Sequence, residues 1–234
     1  MSTEYQNGLG QPIGWPVTVP AAPPPSTEPM VGRYCTLVPL DPATHTNQLF
    51  NAYSAASDDG DWTYLPYGPF HDRPSFEKFI QTYANKPDPL FFAVLGSNGQ
   101  ATGVASYLRI NGVAASIEVG HIHFSRQLQG TTAATEAMYL MMKRAFDSGY
   151  RRYEWKCDAL NAASRAAAAR FGFSFEGIFR QATHYKGRNR DTAWFAIVDA
   201  DWPRIEQAFQ AWLDPANFDD SGRQRDPLRP HSDS

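Results

Sequence analysis

The sequence is poor in the features that mark secreted and membrane proteins. Its 234 residues include only two cysteines, Cys35 and Cys157, which are too few for a disulfide framework and lack metal-ligand spacing. No apolar run approaches the roughly 18 residues needed to cross a bilayer. The N-terminal region also lacks the basic and apolar segments of a signal peptide. We therefore expect a cytoplasmic protein without a membrane partner and without a metal.

The sequence also lacks a large excess of charge of either sign. The chain has 21 Lys and Arg residues against 24 Asp and Glu residues, a formal net charge of -3, and no Lys/Arg run. Nucleic-acid binding depends on clustered positive charge, so we expect no nucleic-acid partner. Hydrophobic residues make up 42% and aromatic residues 14% of the chain. That composition can build a sizeable core, and it predicts one folded domain with tails.

The two ends differ from the middle in composition. Residues 1–31 are rich in proline, including the run Pro23-Pro24-Pro25, which disfavours helix and predicts an extended arm. Four apolar side chains would allow this arm to pack along the domain as a strap: Ile13, Trp15, Val17 and Val19. Residues 215–234 are polar and predict a solvated tail. The arm could reach a second copy of the chain, so a homodimer is one assembly that the sequence allows.

Between these ends, over residues 32–214, helical and strand patterns alternate. The patterns predict helices at 42–56, 74–84, 132–148, 161–170 and 203–213. They predict strands at 33–40, 90–95, 102–110, 116–124, 152–157, 175–185 and 192–199. This order of elements indicates an α/β domain with a mixed sheet.

A glycine-containing loop, residues 125–133, joins a predicted strand to a long helix. Such a loop directs unpaired amides and the positive end of the helix dipole to one place, where a pyrophosphate can bind. Thr131 or Thr132 would either cap the helix or donate a hydroxyl to phosphate. Many ordinary helices begin in the same way. No Gly-Lys-Ser/Thr follows the loop, which argues against a P-loop nucleotide site.

A second pair of polar residues lies on the next helix. Asn161 and Ser164 stand three apart in its first turn, so their side chains share a face. In the structural alternative, Asn161 caps the helix and Ser164 is a polar filler. The segment Gly172-Phe173-Ser174-Phe175-Glu176-Gly177 follows closely, and its spacing from both constellations favours a functional role.

The chain resembles the Gcn5-related N-acetyltransferase (GNAT) superfamily and, more narrowly, its RimJ/RimL-like branch. Four segments carry the resemblance: Glu118 to His121, Gln127 to Ala137, Asn161 to Ser164 and Gly172 to Gly177. The resemblance implies a mixed, mostly antiparallel sheet of about seven strands flanked by helices. It also implies transfer of acetyl from acetyl-CoA to a primary amine of a small molecule, peptide or protein N-terminus, by direct attack in a ternary complex. The alternative is a catalytically silent acyl-CoA-binding regulatory domain of the same fold.

The resemblance further implies a coenzyme A site. The matched loop wraps the pyrophosphate with backbone amides and comprises Gln127, Gln129, Gly130, Thr131, Thr132 and Ala133. Asn161 matches a residue that contacts pantetheine, and Ser164 matches a position near the thioester sulfur. Strand four splays from strand five in the family, which implicates Gly120, His121 and Ile122 in pairing with pantetheine. Thr132 departs from the usual Gly or Ala, although its hydroxyl could substitute for close backbone approach.

Acetyl transfer needs a base for the amine and an acid for the leaving thiolate. Glu118 is our first choice of base, with substrate orientation or a structural ion pair as its alternatives. Ser164 would protonate the thiolate or only position the sulfur. Regular alternation would put His121 and His123 on the strand face opposite Glu118. Some relatives have an acidic base where Thr183 stands, so His184 and Tyr185 are further candidates.

The loop between the first two helices combines four aromatic residues with three acidic ones over residues 58–70. In the family this region forms a wall of the acceptor site. The resemblance therefore assigns five residues to the acceptor: Trp62, Tyr64, Tyr67, Glu118 and Tyr185. Aromatic walls with acidic groups suit a cationic amine on an apolar scaffold. The alternative is a lid that packs on its own domain.

Overall fold

Ten strands and five helices make up the part of the chain that the computed structural model describes, residues 5–84 and 86–230. The strands are β1 (Tyr5–Gln6), β2 (Pro12–Ile13), β3 (Met30–Val31), β4 (Thr36–Pro39), β5 (Leu90–Leu95), β6 (Ala101–Asn111), β7 (Ser116–Phe124), β8 (Arg152–Asp158), β9 (Ser174–Tyr185) and β10 (Arg188–Val198). The helices are α1 (Pro42–Ser54), α2 (Arg73–Tyr83), α3 (Thr132–Asp147), α4 (Ala162–Arg170) and α5 (Trp202–Leu213). Within these residues no helix is long and apolar enough to span a membrane.

Eight of the strands form one sheet in the order β3-β4-β5-β6-β7-β8-β10-β9. Every neighbouring pair is antiparallel except β7 with β8. The α/β class and the mixed, mostly antiparallel sheet are therefore confirmed. The strand beyond the predicted seven is β3, whose two residues are too short to give a periodic signal.

The sheet is covered on both faces by apolar clusters. One cluster joins the sheet to α3 and α5 and includes Ile117, Val119, Met138 and Phe209. The other joins it to α1 and α2 and includes residues such as Leu49 and Phe76. Neighbouring residues in a strand point to opposite faces of the sheet. Glu118, which stands between Ile117 and Val119, must therefore face the α1–α2 side.

The parallel pair β7 and β8 stays together over only part of its length. Pairing runs from Ser116 with Arg152 to Val119 with Trp155 and ends there. Residues 120–124 of β7 and 156–158 of β8 instead line one cavity. This divergence is the splay that the resemblance implies, and it exposes backbone groups of β7 to the cavity.

A bulge interrupts β7 just beyond this pairing. Ser106 of β6 pairs with Gly120 and Val104 pairs with His123, so His121 and Ile122 together oppose one β6 residue. The φ angle of His121 is 49°. An extra residue of this kind shifts the alternation of a strand by one.

The bulge reverses the expected orientation of the two histidines. His123 stacks on the ring of Tyr53 in α1, with the ring centroids 4.0 Å apart. His121 contacts the ring of Phe91, which belongs to the cluster on the α1–α2 side. Both histidines therefore share the face of Glu118. The prediction that they face away from it is wrong, because it assumed regular alternation.

A buried carboxylate fixes the start of the domain to α3. Glu136 accepts hydrogen bonds from the backbone amides of Arg33, Tyr34 and Cys35 at 2.8, 2.6 and 2.9 Å. A side chain at Gly32 would collide with that carboxylate, so glycine leaves room for it. Three amide donors compensate the desolvation of Glu136 and link two distant segments of the chain.

The proline-rich arm packs on the domain only in its second half. Val19 joins the cluster on the α3–α5 side, and the Ala22 amide donates to the Gly112 carbonyl at 2.9 Å. Trp15 and Val17 are instead 60% and 53% exposed. The predicted strap is therefore present from Val19 onward and wrong for the residues before it.

The C-terminal segment is anchored to the domain at several residues between 217 and 230, which corrects the expectation of a tail that is solvated throughout; residues 231–234 of that tail lie outside the described residues. Phe218 lies edge-on to Trp212 with the ring centroids 5.3 Å apart. The Trp212 indole donates to the Gln224 amide oxygen at 2.8 Å. Leu228 is only 7% exposed. The polar residues of this segment bond to one another and to α5, which composition alone could not reveal.

Candidate active site

A cavity of about 1340 Å³ opens where β7 and β8 diverge. One part, the α3 half, is lined by the starts of α3 and α4: Gln129, Gly130, Thr131, Thr132, Thr135, Asn161 and Ser164. The other part, the β10 half, is lined by the loop between α1 and α2 and by β9 and β10: Tyr64, Leu65, Pro66, Phe179, Thr183, Arg190 and Trp194. Glu118, Gly120, His121 and Ile122 of β7 lie along the same cavity.

Backbone amides dominate the α3 half. The Thr131 hydroxyl accepts from the Ala134 amide at 3.1 Å and donates to the Leu128 carbonyl at 2.7 Å, so Thr131 is the cap of α3. The amides of Gly130, Thr132 and Ala133 donate to no acceptor within the described residues. Three free amides at the positive end of a helix suit an anion. Gln127 and the Ala133 side chain lie outside the cavity lining.

The start of α4 is built by the two predicted polar residues. The Asn161 side-chain oxygen accepts from the Ser164 amide at 3.0 Å, so Asn161 caps the helix as the structural alternative stated. Its side-chain nitrogen is still free to meet a ligand, since both residues line the cavity. The Ser164 hydroxyl accepts from the Trp155 indole at 3.0 Å. That bond fixes the hydroxyl oxygen and leaves its proton free to point elsewhere.

Glu118 lies in a buried network of charges. Its carboxylate is 2.9 Å from the Lys156 ammonium and 3.2 Å from the Arg109 guanidinium. Lys156 also contacts Glu154 at 2.8 Å and lies 3.6 Å above the ring of Trp194. Burial raises the pKa of Glu118 and outweighs the opposing effect of the two cations. Glu118 therefore forms the structural ion pair considered above and also faces the cavity.

The two histidines of β7 are neutral at physiological pH. Burial, and then the charge of Arg190, lower the pKa of His121 to about 4. Its Nδ1 lies 3.2 Å from the Tyr67 hydroxyl. Burial likewise lowers the pKa of His123 to about 4. A histidine with so low a pKa is a weak base.

Neither of the two candidates at the end of β9 lines the cavity. The Tyr185 hydroxyl donates to the Asp158 carboxylate at 2.8 Å. Burial, and then this carboxylate, raise the pKa of Tyr185 to about 12. His184 is exposed and outside the cavity lining. Its neighbours Ala182 and Thr183 line the cavity, whereas His184 does not, so the structure does not place His184 where its predicted catalytic role requires.

The loop between α1 and α2, residues 57–70, is mainly a lid that packs on its own domain. Trp62 is 7% exposed and its ring centroid lies 3.9 Å from that of His123. Tyr67 packs against Phe79 with the ring centroids 4.4 Å apart. Neither Trp62 nor Tyr67 lines the cavity, whereas Tyr64 does. The predicted acceptor wall is therefore reduced to one of its three aromatic residues.

Two of the three acidic residues of this lid are paired with one cation. Arg126 contacts the carboxylates of Asp58 and Asp61 at 2.8 and 2.6 Å. These acids are thus engaged, which weakens the expectation that they attract a cationic amine.

Sequence reasoning missed several lining residues, namely Lys156, Arg170, Arg190, Thr192, Trp194 and Gly222 to Gln224. Alternation along β8 could have found Lys156, because Trp155 and Cys157 on either side of it are apolar and buried. The C-terminal residues carried no comparable signal.

The α3 cradle, the splayed strands and the polar start of α4 occur together in one family of enzymes. The model of the acetyltransferase (GNAT) domain matches residues 35–174 of this chain. The chain belongs to the GNAT family. Its family makes it an acyltransferase, and GNAT acetyltransferases in general use acetyl-CoA.

Solved structures agree with this family membership. A GCN5-related N-acetyltransferase from Brucella melitensis is 44% identical, with a TM-score of 0.87 over 89% of this chain and 95% of that one. A GNAT-family structure from Chromobacterium violaceum ATCC 12472 is 39% identical, with a TM-score of 0.76 over 82% and 99% of the two chains. No curated protein matches the chain.

A more distant structure comes from Salmonella typhimurium, an acetyl transferase that modifies the N-terminal serine of ribosomal protein L7/L12. It is 20% identical, with a TM-score of 0.63 over 73% of this chain and 99% of that one. At this identity the likeness shows a shared fold and does not assign this GNAT protein to the RimJ/RimL-like branch.

Proposed function

We propose that this protein is an acetyl-CoA-dependent N-acetyltransferase that acts on a primary amine by direct attack in a ternary complex. The observation that carries the proposal is the continuity of one cavity from the free amides of α3 to the carboxylate of Glu118. A donor in the α3 half and an amine in the β10 half could occupy it together. Holding both reactants in one orientation is the main way such a site lowers the barrier.

The α3 half fits coenzyme A. The free amides of Gly130, Thr132 and Ala133 would bind its pyrophosphate, and the side-chain nitrogen of Asn161 would donate to its pantetheine arm. When bound, acetyl-CoA supplies an acetyl group activated as a thioester. The exposed backbone of residues 120–122, on the diverging part of β7, would pair with pantetheine.

Glu118 is the best-placed group to take a proton from the amine. It faces the cavity, and its raised pKa makes it a stronger base than an ordinary carboxylate. Lys156 and Arg109 hold the carboxylate in place. His121 also lines the cavity, but its low pKa makes it the weaker candidate.

Ser164 is the best-placed proton donor for the leaving thiolate. Trp155 fixes its oxygen, and its own proton is free to point into the cavity. Tyr185 is less suitable because its proton is committed to Asp158. The bulge at His121 and Ile122 leaves β7 amides without a regular partner, and such an amide could stabilise negative charge on the acetyl oxygen.

The finer assignments are part of the proposal. A RimJ/RimL-like relationship is supported by the four motif segments of the sequence. A cytoplasmic location is supported by two free, buried cysteines. Two expectations stay predictions: that the protein has no nucleic-acid partner, and that it can form a homodimer. A catalytically silent domain is not favoured, because a base and an acid candidate both face the cavity.

The proposal is tested by calorimetric titration with acetyl-CoA, followed by a thiol-release assay against pooled primary amines. We expect binding and amine-dependent release of coenzyme A. Binding without release in every pool, including peptides with free N-termini, would support the silent domain. Absence of acetyl-CoA binding would refute the proposed function.

A further inference from the structure

An unpaired guanidinium lies in the β10 half of the cavity. Arg190 is on β10 opposite Thr183 of β9, and both residues line the cavity. The Nε of Arg190 is buried without a hydrogen-bond partner, and no ion pair involves this residue in the described chain. The ring of Tyr185, 5.8 Å from Cζ, is its nearest aromatic contact. A buried donor without an acceptor is unfavourable unless a ligand supplies one.

The neighbouring cations differ from Arg190 in this respect. Lys156 contacts Glu118 and Glu154, and Arg109 contacts Glu118. Arg126 at the lid contacts two aspartates. Arg190, by contrast, makes no ion pair within the described residues, and the Asp158 carboxylate on the same cavity accepts a hydrogen bond from Tyr185.

The charge of Arg190 lies close to the proposed reacting centre. After burial, it is the largest influence that lowers the pKa of His121 on β7. It also opposes the burial that raises the pKa of Cys157 on β8 and of Tyr185 on β9. Groups from three strands thus surround the guanidinium, and one of them belongs to the splayed segment of β7.

A second unpaired donor and an apolar platform lie further along β10. The indole nitrogen of Trp194, four residues further along β10, is buried without a partner. The ring of Trp194 stacks on Phe179 with the centroids 4.4 Å apart. Phe179 is 54% exposed and lines the cavity, so it can pack against a ligand.

We propose that Arg190 binds a carboxylate of the acceptor, which makes the acceptor an amine that carries a carboxylate close to its nucleophilic nitrogen. A guanidinium presents two parallel N–H donors that match the two oxygens of a carboxylate. Trp194 and Phe179 bind the apolar part of the same molecule. This inference rests on the proposed function, because it names the acceptor class of the same site.

Two kinds of acceptor carry a carboxylate close to a primary amine. One is a free amino acid, through its α-carboxylate, and the other is a peptide with an acidic side chain at its first position. Kinetics with two matched sets separates them. The first set is L-phenylalanine, L-phenylalaninamide and phenethylamine. The second set is a peptide that begins with Asp and the same peptide beginning with Asn. Arg190→Gln and Arg190→Lys are compared with Arg180→Gln, a matched loss of charge at an exposed position on β9.

We expect the carboxylate member of one set to exceed its neutral partner in kcat/KM by about 100-fold in the native protein, since a site built for one polar group rejects analogues that lack it. Arg190→Gln should reduce that ratio to within about fivefold. Arg190→Lys should retain part of it, and Arg180→Gln all of it. Differences in basicity among the amines do not affect the comparison between protein variants, because every variant is tested with the same amines.

A carboxylate preference that is absent, or that survives in Arg190→Gln, would overturn the inference while leaving N-acetyltransfer intact. Acetyl-CoA affinity and circular dichroism report whether each variant is folded. If no amine is acetylated, calorimetry with N-acetyl-L-phenylalanine and its amide in the presence of coenzyme A decides the question. Binding of the acid that Arg190→Gln abolishes supports the carboxylate site, and equal binding by both proteins refutes it.

Discussion

The two halves of the cavity use different parts of the polypeptide. The α3 half is made mostly of backbone: three free amides, one threonine cap and one asparagine cap. The β10 half is made of side chains contributed by the lid, β9 and β10. A site made of backbone accepts one common ligand, whereas a site made of side chains can differ between relatives. We therefore expect changes in the cradle and helix caps of the α3 half to alter donor affinity, and changes at the proposed proton-transfer residues Glu118 and Ser164 to alter the rate.

The largest expected effect comes from Glu118→Gln, which removes the proposed base. We expect kcat to fall about 100-fold with little change in the acetyl-CoA Kd. Activity that requires the ionised Glu118 carboxylate rises with pH as that group loses its proton. Burial raises the pKa of Glu118, so this rising limb of the rate–pH profile lies at a higher pH than it would for an ordinary carboxylate. The variant should lose this limb in a rate–pH profile.

Glu154→Gln is the matched control for this prediction. Glu154 contacts Lys156, as Glu118 does, but is outside the cavity lining. We expect this change to leave kcat within about threefold. Equal losses in both variants would mean that the charge network as a whole, and not a base at position 118, supports the reaction.

Ser164→Ala should produce the next largest effect, a fall in kcat of about 10- to 30-fold, because proton transfer to the leaving thiolate loses its donor. The acetyl-CoA Kd should change less than the rate. Ser164→Thr keeps a hydroxyl and should recover most of the rate. An unaltered rate in the alanine variant would show that this hydroxyl only accepts the bond from Trp155.

Gly130→Ala should weaken acetyl-CoA binding by about five- to tenfold. Gly130 has φ of +72°, a conformation that costs other residues about 1–2 kcal/mol, and relaxation of that strain would move the cradle amides. Gly99→Ala provides the same strain at φ of +72° in the β5–β6 hairpin. Calorimetry should show weaker binding only for Gly130→Ala. Equal affinities would contradict a cradle at this loop.

The smallest expected effect separates two roles of Asn161. Asn161→Ala removes both the cap and the amide donor, and should lower Tm by about 2–4 °C as well as weakening acetyl-CoA binding a few-fold. Asn161→Asp keeps the capping oxygen and loses the donor. It should retain the native Tm while showing the same loss of affinity. Native affinity in the aspartate variant would show that Asn161 acts as a cap alone.

How well each half could be predicted from the sequence follows from the same contrast. The α3 cradle depends on a strand, a glycine and a helix start that are adjacent in the chain, so residues 125–133 indicated it directly. The lid was harder to interpret because aromatic residues are equally common in cores and in pockets. Trp62 proved to be a core residue and the half-buried Tyr67 packs against the same cluster, whereas Tyr64 between them faces the cavity.

Two further errors have causes that a local sequence pattern does not record. The bulge at His121 changes which face of β7 its histidines occupy, and it leaves no mark in a pattern of apolar and polar residues. The C-terminal segment has the composition of a tail, yet Phe218 and Leu228 find apolar partners on α5 and the main cluster. Neither feature follows from local preference.

The sequence by itself determined the α/β class, the order of the main elements, the family and the loop at the start of α3. These depend on periodicity and on contiguous residues, which local sterics and hydrogen bonding control. Only the tertiary structure decided that Glu118 is paired with Lys156, that His184 lies outside the cavity lining and that the Arg190 Nε has no partner among the described residues. Burial and charge pairing depend on which distant segments meet, and that meeting is a property of the packed chain.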